Sequence, residues 1–119
     1  MTGYMDEVVQ RIAADFPGLF DKEGWHDCPV GWEATVRELC TRLVAEHPSV
    51  HCKQCKSKLG ALRFYVNDDA SDEAVTLIHD YQRRCGETCE ECGEPGKIVR
   101  VDLWLTALCP KHTPENVAD

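Results

Sequence analysis

Four metal-ligating side chains near the carboxyl end of the chain have the spacing of a zinc site. The first two lie in Cys89-Glu90-Glu91-Cys92-Gly93, where a two-residue spacer lets both sulfurs face one ion and the glycine relieves strain in the turn. The second pair, Cys109 and His112, has the same spacing. Three thiolates and one imidazole close a tetrahedral shell, so the pattern predicts one structural Zn²⁺ without an open position for a catalytic water.

The cellular compartment determines how the eight cysteines are interpreted. The amino-terminal residues contain neither the basic segment nor the apolar stretch of a secretory signal peptide. The longest apolar runs are far shorter than the roughly 20 residues that cross a bilayer. We therefore expect a cytoplasmic protein without a membrane span, in which reduced thiols bind metal more readily than they form disulfides.

A second Cys-x-x-Cys segment, Cys52 to Cys55, could hold another zinc if Cys28 and His26 or His51 completed the ligand set. Positions i and i+3 of a regular strand point to opposite faces, and no glycine follows Cys55 to form a knuckle. The alternative is that these thiols are buried as small apolar side chains. Both interpretations stay open, whereas the apolar helical positions of Cys40 and Cys85 indicate core residues.

No catalytic centre is evident in the sequence. Cys28 and His26 are the one local pair that could form a nucleophilic dyad, but no third group is identifiable that would orient them. Nucleases built on a treble-clef zinc unit need a general base, usually a histidine, between the two ligand pairs. Residues 93–108, between the pairs in this chain, contain no histidine. We predict a protein without enzymatic activity.

Apolar periodicity predicts an α+β fold with an α-α-β-β-α body. Helical spacing appears over residues 5–16, from Pro29 to about His47, and after a cap at Asp69 or Ser71. Residues 49–66 alternate like a hairpin, with Lys56-Ser57-Lys58 as its turn, and residues 19–28 are expected to be a loop. The body should cover residues 1–85, and a treble-clef or ribbon-like zinc unit, residues 86–119, should pack on it within one domain.

Charge separates two hypotheses for binding. The net charge of −8 disfavours general contact with nucleic acid and suits a basic groove on another protein. The acidic candidates for such an interface are Asp68, Asp69, Asp72, Glu73 and Asp80. The competing hypothesis is a nucleic-acid module that uses the basic hairpin. Its candidate phosphate contacts are Lys53, Lys56, Lys58 and Arg63, with Arg83 and Arg84 as further candidates. Trp25, placed in the predicted loop, is the tryptophan that we expect to be exposed.

Four segments resemble small phage and prophage proteins that contain a zinc finger and have no assigned function. They are Cys28-Pro29-Val30-Gly31-Trp32, the stretch from Gln54 to Val66 that includes Lys56-Ser57-Lys58-Leu59-Gly60-Ala61-Leu62-Arg63-Phe64-Tyr65, the stretch Cys89–Gly96, and the stretch Trp104–His112.

The resemblance implies a single zinc, because cysteines matching Cys52 and Cys55 generally do not recur in that family. It also implies that Lys56, Lys58, Arg63 and Tyr65 form a shared surface, unless the hairpin is just a solvated basic face. A small acidic phage protein of this kind would act in the cytoplasm of a bacterial host. Its expected partner is a host protein or a defence complex such as a CRISPR effector.

Overall fold

Six strands and three helices make up the fold over residues 3–114, the part of the chain that the computed structural model describes. The helices are α1 (Glu7–Asp15), α2 (Glu33–Glu46) and α3 (Asp72–Gly86). The strands are β1 (Tyr4–Met5), β2 (Phe20–His26), β3 (Cys52–Lys58), β4 (Ala61–Val66), β5 (Lys97–Val101) and β6 (Trp104–Leu108). One 3-10 turn, Val30–Trp32, leads directly into α2. The last residues of the predicted zinc unit, 115–119, lie outside the described residues.

Strands β1 to β4 form one sheet in sequence order, and β5 and β6 form a separate hairpin. The β1/β2 and β2/β3 pairs are parallel, so α1 and α2 lie in the connections between them. The β3/β4 pair is antiparallel, with Lys58 opposite Ala61. Leu59 and Gly60 form the turn between these strands, both at positive φ. The prediction of a turn at Lys56–Lys58 was therefore wrong, because those residues extend β3.

The α+β class is confirmed, but the body begins β-α-β-α rather than α-α. The expected loop over residues 19–28 contains β2, whose two ends, Phe20 and His26, are buried. Its middle residues, Asp21-Lys22-Glu23-Gly24, lack β-forming side chains, so the sequence pattern did not predict a strand here. Pairing with strands on both sides overrides that local preference because it supplies partners for the backbone N–H and C=O groups.

The helices cover one face of the four-stranded sheet. The apolar stripe predicted for α3, namely Ala74, Leu77, Ile78, Tyr81 and Cys85, is buried. It packs in one core cluster with inward-facing strand residues such as Leu62 and Phe64 and with Trp32 at the start of α2. The hydroxyl of Ser71 caps α3 by accepting a hydrogen bond from the Ala74 backbone N–H at 3.1 Å.

Asp6 connects the first helix to the sheet. One of its carboxylate oxygens caps α1 by accepting from the Val9 backbone N–H at 2.9 Å, and the other accepts from the Cys28 N–H at 2.9 Å. Because this single side chain satisfies two buried donors, it connects the start of α1 to the end of β2.

Within residues 3–114, none of the helices combines the length and the apolar character that crossing a bilayer requires.

Candidate metal centre

The four predicted ligands come together at the carboxyl end of the described chain. Their ligand atoms all lie within 4.8 Å of one another. His112 Nδ1 is 3.2 Å from the sulfur of Cys109 and 3.5 Å from that of Cys89, and the sulfurs of Cys92 and Cys109 are 3.7 Å apart. A tetrahedron with metal–sulfur bonds of about 2.3 Å has sulfur–sulfur edges of about 3.8 Å. One metal ion can therefore contact all four atoms.

Two turns joined by a hairpin produce this cluster. The knuckle from Cys89 to Gly93 closes with a hydrogen bond from the Gly93 N–H to the Cys89 carbonyl at 3.0 Å, and Gly93 adopts a positive φ of 82°. That conformation favours glycine. The β5/β6 hairpin then reverses the chain, and a second turn places His112 beside Cys109 through a 3.1 Å backbone hydrogen bond.

The contacts in the cluster favour the ionised form of Cys109, whereas burial and contacts with the sulfurs of Cys109 and Cys89 raise the pKa of Cys92. Burial opposes ionisation of Cys109, but hydrogen bonds from the side chain and backbone of His112 outweigh it and lower the pKa of that thiol to about 6. The same contact, together with that to Cys89, raises the pKa of His112. Thiolates are the metal-binding form of cysteine. A thiolate at Cys109 would suit the cluster to a cation in its centre.

Glu90, between the two knuckle cysteines, connects the cluster to the rest of the fold. One carboxylate oxygen accepts from the Thr106 hydroxyl and the Ala107 N–H, both at 2.9 Å. The other accepts from the Ser57 hydroxyl on β3 at 3.2 Å. Nothing in the sequence distinguished Glu90 from its neighbour Glu91, since both are charged spacers between ligands.

The turn before α2 packs directly on the knuckle. The Gly31 N–H donates to the Glu90 carbonyl at 2.9 Å, and the Trp32 indole N–H donates to the Thr88 carbonyl at 2.8 Å. A Cβ on Gly31 would lie 2.1 Å from the Cys89 carbonyl oxygen. The role of Trp32 as a donor to the knuckle required the tertiary structure, because Thr88 is 56 residues away in the sequence.

The second Cys-x-x-Cys segment does not form a comparable cluster. Cys52 and Cys55 are both buried, because a register shift between Cys52 and Gln54 turns both side chains toward the core. The expectation that they point to opposite faces was therefore wrong. Among the described residues, the single group of three or more candidate ligands within reach of one ion is that at Cys89, Cys92, Cys109 and His112.

Cys28 and His26 do not bond to each other as a dyad would require. The Cys28 thiol donates to the Pro29 carbonyl at 3.3 Å. His26 is buried, with Nε2 at 2.8 Å from the Asp21 carbonyl oxygen, so this nitrogen carries the proton. The Nδ1 atom of the same ring has no hydrogen-bond partner in the described structure.

The five remaining thiols should resist alkylation in the folded protein. Burial raises the pKa of Cys40 and Cys85 to about 12, and it also raises the pKa of Cys28, Cys52 and Cys55. Protonated, enclosed thiols react poorly. With iodoacetamide and a chelator at pH 8, mass spectrometry should show labelling of the three ligand cysteines alone, and of all eight after denaturation. Rapid labelling of Cys52 and Cys55 in the native chain would contradict this assignment.

Comparisons with known proteins found no match for this chain. No protein-family model matches the chain, and neither the curated proteins nor the solved structures include a match.

Proposed function

We propose that this is a non-enzymatic, zinc-stabilised protein of phage type that binds a protein in the cytoplasm of a bacterial host. In its most specific form, the hypothesis is that the partner is a defence complex such as a CRISPR effector. The resemblance of the four sequence segments supports the phage origin. The cluster of four ligands supports a structural metal, and an exposed acidic patch, described below, supports a protein partner.

Zinc is the metal that best fits the donor atoms. Three sulfurs and one imidazole nitrogen in a tetrahedral arrangement suit Zn²⁺, whereas Mg²⁺ and Ca²⁺ prefer oxygen ligands. Cys89 and Cys109 are buried and Cys92 and His112 are exposed, so the ion would lie at the edge of the fold. With four protein ligands the shell would be closed, which fits a structural role rather than activation of water.

Purified protein should contain one zinc ion per chain by elemental analysis. The expectation follows from the single four-ligand cluster among the described residues. Cys109→Ser should reduce the content to near zero, while Cys85→Ser, which changes a core thiol away from the cluster, should retain it if the variant folds. A content near zero in metal-replete wild-type protein would contradict the assignment, and a content near two would show that Cys52 and Cys55 bind metal.

The acidic patch consists of Asp68, Asp69, Asp72 and Glu73, at the junction of β4 and α3. All four residues are exposed. Within residues 3–114 none of them forms an ion pair with lysine or arginine, and Asp69 accepts a hydrogen bond from the Asn67 amide at 2.5 Å. Asp80, the fifth acidic candidate, differs because it pairs with Arg83 and Arg84. Carboxylates without a counter-charge create a negative field that attracts a basic groove.

Affinity capture from a bacterial lysate tests this proposal. Tagged wild-type protein should retain a host protein that is identified by mass spectrometry and released at high salt, because Debye screening weakens charge pairing. A variant with Asn or Gln at the four patch positions should lose it. The control neutralises four other exposed acids, Glu7, Glu23, Glu91 and Asp102, and so carries the same net charge. Equal recovery with the patch variant would overturn the proposal.

A second candidate function is nucleic-acid binding through the basic hairpin. Five arginines on the helices form ion pairs, namely Arg11, Arg37, Arg42, Arg83 and Arg84. In the described chain, the hairpin cations Lys56, Lys58 and Arg63 form none. Charge is therefore segregated, and a local positive face exists on an acidic protein.

A further inference from the structure

Aromatic side chains form a row across the four-stranded sheet. The strand register places Tyr4 beside Trp25, Trp25 beside Gln54, and Gln54 beside Tyr65. Residues that are directly adjacent across strands share a face of the sheet. Tyr4 is 45% exposed, Trp25 53% and Tyr65 49%. Three large rings are thus accessible on one surface.

This surface is the face that the helices leave uncovered. His26 and Phe64, which follow Trp25 and precede Tyr65 in their strands, are buried against the helices. Because successive side chains in a strand alternate between faces, Trp25 and Tyr65 point away from the core. Exposed aromatic groups that lie together on a protein surface commonly mark a binding site.

Two of the three rings, Tyr4 and Trp25, are held in place before any ligand binds. Tyr4 stacks on Trp25 with ring centroids 4.5 Å apart and an angle of 29° between the planes. The indole N–H of Trp25 donates to a carboxylate oxygen of Asp27 at 2.8 Å. A ring fixed in this way loses little conformational entropy on binding, which favours its use as a contact surface.

Unpaired cations lie on the same face as the aromatic row. Lys56 stands directly opposite Arg63 on the neighbouring strand, an arrangement that is unfavourable for like charges. The Arg63 Nε atom is shielded from solvent and has no hydrogen-bond partner in the described chain. An anion held between the Lys56 ammonium group and the accessible part of the Arg63 guanidinium would relieve the repulsion.

We propose that this face binds single-stranded nucleic acid, with bases stacked on Trp25 and Tyr65 and phosphate held by Lys56 and Arg63. The proposal deepens the second candidate function and rests on it. Neighbouring strands are about 4.8 Å apart, so the two rings, on β2 and β4, lie about 10 Å apart and can receive separate bases. A duplex hides its base faces, whereas a single strand offers them for stacking on aromatic residues.

Fluorescence anisotropy with labelled 12-nucleotide oligo-dT and oligo-U, at two salt concentrations, tests the proposal on the zinc-loaded full chain. Trp25→Leu and Tyr65→Leu should each weaken binding by roughly fivefold to 100-fold, the range expected for loss of one stacked base. Trp25→Phe should restore most of the affinity because it keeps a ring. Arg63→Gln should weaken binding and lower the salt slope by about one.

Matched controls lie on the β5/β6 hairpin. Trp104 is 64% exposed and Arg100 is exposed, so Trp104→Leu and Arg100→Gln should leave binding unchanged. If neither oligonucleotide nor a 12-base-pair duplex binds, both this proposal and the second candidate function are overturned.

If duplex and single strand bind with equal affinity, and Trp25→Leu and Tyr65→Leu leave that affinity unchanged, the proposal of base stacking is overturned. The second candidate function, nucleic-acid binding through the basic hairpin, would then stand. Loss of host-protein capture by Trp25→Leu, without oligonucleotide binding by the wild type, would reassign the face to a protein partner and would also overturn the proposal of base stacking.

Discussion

Cys92→Ser should abolish metal binding and disorder residues 87–114, while helices α1 to α3 remain folded. The predicted zinc unit has a small buried cluster of its own, formed by Cys89, Val99, Leu108 and Cys109. Structural zinc contributes on the order of 10 kcal/mol of apparent binding energy that is also folding energy. So small a cluster cannot replace that contribution. The body has a much larger core, built on its three helices and sheet, to which the β5/β6 hairpin contributes Ala107.

Hydrogen exchange and circular dichroism measure this outcome. Amides of β5 and β6 should lose protection in Cys92→Ser or after chelation, and helical ellipticity should persist. Exchange should also rise at Gly31, because its N–H donates to the Glu90 carbonyl in the knuckle. Glu91→Gln changes an exposed neighbour in the same knuckle and should leave protection intact. Complete unfolding of the Cys92→Ser variant in one cooperative step would show that the zinc unit is integral to the core.

Gly31→Ala should destabilise the junction between body and zinc unit by about 2–4 kcal/mol, through overpacking and loss of a hydrogen bond. The added Cβ would lie 2.1 Å from the Cys89 carbonyl oxygen and 2.7 Å from the carbonyl carbon and oxygen of Glu90. These obstacles are backbone atoms and cannot rotate away. The knuckle must therefore move, and the hydrogen bond from Gly31 to Glu90 must lengthen.

Urea unfolding and zinc-affinity titration of Gly31→Ala check this expectation, and both the unfolding midpoint and the metal affinity should fall. The matched control is Gly86→Ala, because a Cβ there meets Ile98 and Gly60 at ordinary contact distances of 3.7 and 3.9 Å. Gly86 ends α3, so alanine should be neutral or stabilising by less than about 1 kcal/mol. If the unfolding midpoint and the zinc affinity of Gly31→Ala are unchanged, close packing between the knuckle and the turn before α2 does not contribute to stability or metal binding.

Local sequence patterns determined the parts of this protein whose geometry depends on neighbours a few residues apart. The metal ligands belong to this class, since a two-residue spacer between ligands restricts both side chains to one side of a turn. The third helix does too, because Ser71 caps it and its apolar stripe has a period near 3.6. These predictions needed no knowledge of the rest of the chain.

The tertiary structure alone decided which distant segments pair. Strand β2 has a polar middle and forms because β1 and β3 lie on either side of it, and the bulge before Gln54 turns both Cys52 and Cys55 inward. The contact between Gly31 and the knuckle and the row from Tyr4 to Tyr65 also join residues far apart in sequence. Such contacts depend on backbone hydrogen bonding and close packing between segments, and neither leaves a periodic signal in the residues that take part.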